Sequence, residues 1–133
     1  MRNRITTSVA LFLMVLVLGI APLYGGMRGG ELIAHLTEVG GHQAEGTAMV
    51  THEGNTFRLV LRDITVDRVP DGRVYLAHDA DYENGVELGR LTQFTGTVTY
   101  PVPSEINPRD DNSVVIWCKR FDVEIGHGYF EHK

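Results

Sequence analysis

The fold class follows from one stretch of the sequence, FRLVLR at residues 57–62. Apolar Phe57, Leu59 and Leu61 alternate with Arg58 and Arg62, and a period of two is typical of a strand with one buried face. We therefore predict a half-buried β-strand here and look for the same period on both sides of it.

Working outward, further strand-like segments follow one another with turns between them. The triplet Glu53-Gly54-Asn55 is a turn of the kind that joins hairpin strands, and Pro70-Asp71-Gly72 is a second strong turn signal. No helical period rises above background after residue 40, and the ambiguous segment 31–39 favours a strand. Short strands at about ten-residue spacing are typical of an all-β sandwich or barrel, and we predict a single antiparallel β-sandwich domain. The other predicted strands are Thr47–Thr51, Val74–Leu76, Thr95–Tyr100 and Ser113–Ile125.

The N-terminus has the pattern of an export signal. Arg2 and Arg4 precede a stretch without charge, in which residues 9–21 are apolar apart from Gly19. A basic head and an apolar run of this length indicate a signal peptide, and a borderline membrane anchor is the alternative. We predict an N-terminal hydrophobic helix, with residues 1–26 as signal peptide or anchor, 27–30 as a flexible joint and 31–133 as the folded domain. The domain would then face outward from a membrane, or be periplasmic or extracellular after cleavage.

Charge and composition exclude several classes of function. The 133 residues carry a net charge of −5 and show no basic face, so no nucleic-acid partner is expected. No nucleophile elbow, zinc-protease motif, metal-ligand spacing or convincing acid–base pair is present. We expect an electron carrier or binding module rather than a turnover enzyme, and its partner is an unidentified redox or envelope protein.

Cys118 is the single cysteine of the chain, so no internal disulfide can form. A lone cysteine in an exported protein is buried and inert, paired between chains, or a functional thiol. Cysteine is among the most frequently buried residue types and packs as a small hydrophobe, so the sequence by itself favours a core role.

The strand that carries Cys118 has an irregular facing pattern. Val114–Cys118 is apolar on both faces, which is typical of a covered central strand. The alternation that follows would bury Lys119 if the strand continued unbroken, and an unpaired buried lysine is costly. We therefore predict a bulge or strand break near Lys119–Arg120. With this break Cys118 shares a face with Phe121, and without it Cys118 lies opposite Trp117 and Phe121.

Residues 115–121, VIWCKRF, resemble the C-terminal signature of the DM-thirteen domain family. Members of that family are exported domains, often found beside DOMON domains and proposed to act in electron transfer. Val69 and Gly72 depart from the family pattern, which usually has a glycine at the first position and an apolar residue at the second. Three further segments resemble the family in the same order: Gly41-His42 with Gly46-Thr47-Ala48, Pro70-Asp71 with Val74-Tyr75-Leu76, and Leu88-Gly89-Arg90-Leu91 with Tyr100 and Pro103.

The resemblance implies a β-sandwich and a redox-active Cys118, either bare or holding a prosthetic group such as haem. The C-x-x-C-H motif is absent, which excludes covalent c-type haem. A second haem ligand would come from His42, His78 or His127, and we take Cys118 and His42 as the candidate cofactor-binding residues. The alternative is a non-catalytic module that binds a protein, a glycan or a small ligand, with Cys118 as part of the core.

Overall fold

The computed structural model describes residues 32–131, and the predicted N-terminal helix lies outside this range. Within it nine β-strands form one antiparallel sheet, and two short 3-10 helices, Tyr82–Asn84 and Pro108–Asp110, lie in loops. None of the helices in this part of the chain is long and apolar enough to cross a bilayer. The strands are β1 (Leu32–His35), β2 (Thr37–Glu38), β3 (Ala44–Glu53), β4 (Thr56–Val66), β5 (Gly72–Ala77), β6 (Val86–Arg90), β7 (Thr95–Pro101), β8 (Ser113–Cys118) and β9 (Val123–Glu131).

The stretch that decides the fold class is β4, and its alternation is confirmed. Leu59 and Leu61 are fully buried, while Arg58 and Arg62 on the other face are exposed. The predicted turn at residues 53–55 joins β3 to β4, and Gly54 adopts a φ of 60° that suits glycine at a tight hairpin turn. Within the segment that favours a strand before residue 40, residues 32–35 and 37–38 form β1 and β2.

The nine strands curve into a nearly closed sheet in the order β6-β5-β8-β9-β1-β3-β4-β7, with β2 paired to β9. The seam between the edge strands β6 and β7 is bridged by Tyr100, whose hydroxyl donates to the carbonyl oxygen of Arg90 at 2.9 Å. A Cβ atom on Gly89 would lie 3.0 Å from the Tyr100 ring, so a glycine allows this contact. The predicted all-β, antiparallel class is confirmed. The strands form one continuous, nearly closed sheet, because β9 pairs with β8 on one side and with β1 and β2 on the other.

The strand-like segment 113–125 is divided within the region where a break is predicted, because β8 ends at Cys118 and β9 begins at Val123. One strand was missed. Residues 86–90, which carry no alternating pattern, form the additional strand β6 along β5. Gly89 faces Tyr100 across the seam and Leu88 is only half-buried against the core, so the usual alternation of buried and exposed side chains is weak there.

The start of β1 and Cys118 lie at opposite ends of the curved sheet. β1 begins and β9 ends at the same end, since Ile33 pairs with Glu131. Cys118 pairs with Val123 at the start of β9, which places the sulfur at the opposite end. We call this the Cys118 end. The interior between the two ends is a continuous apolar core that includes residues of every strand except β2 and β6.

Candidate functional site

Cys118 is the last residue of β8 and points into the apolar core. Its exposed fraction is 0%, and it packs in the same cluster as Val114 and Ile116 of its own strand. Within residues 32–131 its thiol makes no hydrogen bond and no ion pair. The sulfur is therefore held as an apolar core group in this conformation.

Two loop residues fill the space above Gly72, the residue that pairs with Cys118. Gly72 of β5 lies directly opposite Cys118, and a Cβ atom there would meet Val69 at 3.1 Å and Leu91 at 3.3 Å. Leu91 is buried and is fixed by its backbone N–H, which donates to the Gly72 carbonyl at 2.7 Å. The two departures from the family pattern thus complement each other: the side chain absent at position 72 is replaced by the one present at position 69.

The predicted strand break after Cys118 is confirmed, but the facing inferred from it is wrong. Lys119–Asp122 forms the turn between β8 and β9, where Asp122 has a φ of 55°. Phe121 lies in this turn and is 62% exposed, so it shares no face with Cys118. Trp117 and Cys118 lie on opposite faces, which is the other arrangement considered. A register shift between Ile116 and Trp117 marks an irregularity within the strand pair itself.

The cations next to Cys118 in sequence point away from the sulfur. Lys119 Nζ lies 3.0 Å from Glu87 Oε1 on the outer face of the sheet, and Arg120 is exposed in the turn. A cation close to the sulfur is what would stabilise a thiolate. Neither side chain supplies one here.

The predicted histidine ligands do not meet Cys118. His42 lies in the loop before β3, at the same end of the sheet, where its Nδ1 is 3.6 Å from Asp67 Oδ2. His78 is paired with Asp79 on the surface, and His127 Nδ1 lies 2.6 Å from Glu124 on the outer face of β9. The described residues contain no cluster of three or more His, Cys, Asp or Glu side chains arranged around a metal.

Haem does not fit the residues around Cys118. A porphyrin ligated by the sulfur would have to enter the apolar core, in which Cys118 is fully buried. His42 is held against Asp67 rather than facing the sulfur. The prosthetic group that the family resemblance allows is therefore not supported by this conformation, and the bare thiol is left as the candidate group.

A second cluster lies directly behind Cys118, on the outer face of β5 and β8. The rings of Tyr82 and Trp117 stack with centroids 3.6 Å apart and planes 19° from parallel. Tyr75 meets Tyr82 edge-on with centroids 5.6 Å apart, and it packs on Val115. We call Tyr75, Tyr82 and Trp117 the aromatic cluster.

Carboxylates surround the aromatic cluster. The Tyr75 hydroxyl donates to Glu87 Oε1 at 3.1 Å, and the Tyr82 hydroxyl donates to Asp122 Oδ1 at 3.3 Å. Glu87 also pairs with Arg73 at 3.0 Å, and Arg73 Nε bonds Asp71 at 2.7 Å. Hydrogen bonding from Arg73 lowers the pKa of Asp71 below its ordinary value. Burial opposes ionisation of Glu87, but hydrogen bonds from Lys119, Tyr75 and Arg73 outweigh it and lower its pKa.

The loop that places Tyr82 on Trp117 has an unusual backbone. Asp79 and Ala80 have φ of 52° and 60°, a region that non-glycine residues seldom adopt twice in succession. Asp79 N–H donates to Asn112 Oδ1 at 2.7 Å, and Ala80 N–H donates to the hydroxyl of the buried Ser113 at 2.9 Å. These bonds hold the loop in a conformation that costs backbone energy, and strain of this kind concentrates at functional sites.

Each of the four segments that resemble a known family has residues at the Cys118 end, although Tyr100 and Pro103 of the third segment lie towards the opposite end, where β7 finishes. His42 Nδ1 lies 3.6 Å from Asp67 in the loop after β4, Asp71 accepts the Lys119 N–H through its carbonyl, and Leu91 N–H donates to the Gly72 carbonyl opposite the cysteine. The sequence profile of the family described as "Electron transfer DM13" matches residues 36–130. The chain belongs to this electron-transfer DM13 family. No curated protein and no solved structure matches it.

The DM13 assignment confirms the family predicted from the sequence, while the aromatic cluster was missed. The sequence places Tyr75 only within the predicted short strand Val74–Leu76, and it predicts no role for the segment that carries Tyr82. The available signal was that β5 and β8 are apolar on both faces, which requires a second layer over the outer face. In this domain that layer is the loop carrying Tyr82.

Proposed function

We propose that this protein is an exported electron-transfer module in which the Cys118 thiol is the redox-active group. The observation that carries this proposal is that residues of all four family-like segments, His42, Asp71, Leu91 and Cys118, lie at one end of the sheet, where the only thiol of the chain is found. Membership of the electron-transfer DM13 family supports the same function.

Export is proposed from the basic and apolar N-terminal segment of the sequence. Because β1 begins at the end opposite Cys118, an uncleaved anchor would attach to the far end of the sheet. The Cys118 end would then face the aqueous phase, where a soluble redox or envelope protein could reach it.

The chemistry proposed for a bare thiol is exchange with a disulfide of the partner. The Cys118 thiolate attacks one partner sulfur, a mixed disulfide forms, and the other partner sulfur leaves as a thiolate. Attack requires access, so Val69 and Leu91 must move away from the sulfur before exchange occurs. Cys118 would therefore react slowly with small reagents and faster when a partner opens this end.

A second candidate function is a non-catalytic binding module with Cys118 as part of the core. The specific observation in its favour is the complete burial of the sulfur without a polar neighbour, which is how a structural cysteine packs. In that case the function would lie on the outer surface, for a protein, glycan or small ligand.

The deciding experiment is the reaction of Cys118 with a disulfide reagent in the folded full chain, followed by mass, beside the same reaction in urea. Modification of the folded protein at a rate above that of global unfolding, and faster in Leu91→Ala, supports the thiol function. Modification limited to the unfolding rate in both proteins makes Cys118 structural. A haemin titration of the wild type and Cys118→Ala, read from the Soret band, tests the fit of haem separately.

A further inference from the structure

The aromatic cluster combines three oxidisable rings in direct contact. Trp117 and Tyr82 stack at 3.6 Å, and Tyr82 touches Tyr75 at 5.6 Å between ring centroids. Contact at these distances places the three side chains within one electronic path from Trp117 on β8 to Tyr75 on β5. Offset and edge-on ring contacts of this kind also stabilise the fold, so geometry alone does not assign a role.

The feature that goes beyond packing is the pair of carboxylates. A phenol that loses an electron becomes a very strong acid, so its proton must have an acceptor in place. The Tyr75 hydroxyl already donates to Glu87 and the Tyr82 hydroxyl to Asp122. By contrast, Tyr100 donates to a backbone carbonyl, which cannot take up the proton. The two tyrosines of the cluster are thus equipped for oxidation in a way that Tyr100 is not.

We propose that Tyr75, Tyr82 and Trp117 form a one-electron redox site, separate from Cys118, that donates to a high-potential metal-centred oxidant on a partner. Oxidation breaks the O–H bond of Tyr75, the proton forms a new O–H bond on Glu87, and the electron reduces the partner's metal by one unit. The product is a neutral tyrosyl radical beside a protonated carboxyl group. Reduction by one electron returns the proton to the phenol oxygen.

Burial and charge favour this coupled reaction over simple ionisation. Burial, with the hydrogen bond to Glu87, raises the pKa of Tyr75 to about 12, so the phenol stays protonated at neutral pH. Burial also raises the pKa of Tyr82, with the Asp122 charge adding to it. Both phenols are therefore in the protonated form at neutral pH, and the hydrogen bonds to Glu87 and Asp122 give each of them a route for the proton when an electron leaves. The lowered pKa of Glu87 keeps this carboxyl group ionised and free to accept the phenol proton, and it favours return of that proton when the radical is reduced.

The positions of the two tyrosines suit electron exchange with a partner at Tyr82 and storage of the radical on Tyr75. Tyr82 lies in the outer loop, where a partner can approach it, whereas Tyr75 is only 6% exposed and is shielded from solvent. A radical on Tyr75 would be protected from coupling to a second radical in solution. The fixed loop at residues 79–80 keeps Tyr82 in contact with Trp117 during this exchange.

This inference rests on the electron-transfer function of the proposed module but not on Cys118. The test therefore includes Cys118→Ala, in which the thiol function is removed and the aromatic cluster stays complete. A radical that persists in this variant separates the two redox sites. Loss of the radical in Cys118→Ala would overturn the claim that they are separate.

The experiment is rapid mixing of the full chain with hexachloroiridate(IV), a one-electron oxidant, followed by electron paramagnetic resonance. We expect a long-lived tyrosyl signal in the wild type that falls severalfold in Tyr75→Phe and Tyr82→Phe. Tyr129→Phe is the matched control, because Tyr129 is exposed and has no carboxylate partner among the described residues. It should leave the long-lived signal unchanged.

Glu87→Gln tests the proton step, because glutamine keeps the size and a hydrogen-bond acceptor but cannot take up the proton. We expect severalfold slower oxidation of Glu87→Gln at neutral pH and a smaller solvent deuterium effect. Equal signals in Tyr75→Phe, Tyr82→Phe and the wild type, or an unchanged rate in Glu87→Gln, would overturn the inference. If those signals are equal while Cys118 still reacts in the folded protein, the proposed function stands without the aromatic site.

Discussion

Trp117 and Cys118 are consecutive residues of β8, so their side chains lie on opposite faces of the sheet. The sulfur is sealed in the apolar interior, whereas the indole stacks on Tyr82 at the outer surface. One peptide unit therefore separates an isolated core thiol from a hydrogen-bonded aromatic surface. Substitutions at the two positions should affect different measurable properties.

Cys118→Ser is expected to destabilise the domain although it changes the size of the side chain very little. The hydroxyl would be buried with no partner, and an unsatisfied buried polar group costs about 1–3 kcal/mol. Urea unfolding of the full chain measures the loss. Cys118→Ala is the matched control, since it leaves a small void but no polar atom. If serine is tolerated as well as cysteine, solvent or a polar group must reach this position.

Ser113→Ala should loosen the loop that carries Tyr82. The Ser113 hydroxyl is fully buried, accepts from Ala80 N–H and donates to the Ala77 carbonyl at 2.7 Å. Its loss leaves a backbone donor unpaired, and we expect a decrease of about 1–3 kcal/mol in the free energy of unfolding. Ser104→Ala, in an exposed loop, should change it by less than about 0.5 kcal/mol. Equal effects of the two substitutions would contradict the buried role of Ser113.

Tyr82→Ala should change the emission of the only tryptophan in the chain. Removing the stacked ring uncovers Trp117, so its fluorescence should shift to longer wavelength and become more accessible to acrylamide. Tyr82→Phe keeps the stack and loses only the hydroxyl bonds to Asp122 and Glu83, so its emission should stay close to that of the wild type. A similar shift in both variants would mean that the hydroxyl, not the ring, shields Trp117.

Stability should fall on acidification because Asp71 and Glu87 form ion pairs with Arg73 and Lys119. The pKa values of Asp71 and Glu87 in the folded state lie below their ordinary values of 3.8 and 4.5. Their contribution is complete above those ordinary values and is lost as the pH falls through the lowered ones, since the unfolded chain then binds more protons. Asp71→Asn should flatten the dependence of urea unfolding on pH below pH 5 or so. An unchanged slope would contradict the role of this network.

Asp111 should give stability the opposite dependence on pH. Burial, with the charge of Asp110, raises its pKa above the ordinary 3.8, so its ionised form is disfavoured in the folded protein. It stabilises the fold below that ordinary value, and this contribution is lost as the pH rises through the raised one. Asp111→Asn should therefore increase stability at neutral pH, as measured by thermal unfolding. A decrease would show that the carboxylate has a stabilising partner.

Much of the strand pattern could be predicted from local sequence. The alternation in β4 and the turns at residues 53–55 and 70–72 are local signals, and each is present in the structure. Segment 86–90 could not be predicted this way, because it becomes a strand by pairing with β5 and by facing Tyr100 across the seam. That partner is chosen by the tertiary fold, not by the five residues themselves.

The site was harder to predict than the fold, because its members are distant in sequence. Cys118 is identified by its being the sole cysteine, but its burial depends on long-range pairing with Gly72, against which Val69 and Leu91 pack. The facing of Phe121 was wrong because the break after Cys118 is a complete turn, which leaves Phe121 outside either face. The contact of Tyr82 with Trp117 depends on a loop conformation that no periodicity encodes.

The pairing of Ile33 with Glu131 makes this domain suitable for insertion into another protein. Because the start of β1 and the end of β9 are adjacent, a host protein can be connected to both without a long linker. Fluorescent reporters, surface tethers or neighbouring domains attached at either strand would stay about eight strand residues, roughly 26 Å, away from Cys118, because β9 runs from Val123, opposite Cys118, to Glu131. The fold thus keeps the Cys118 end remote from any domain that is attached at β1 or β9.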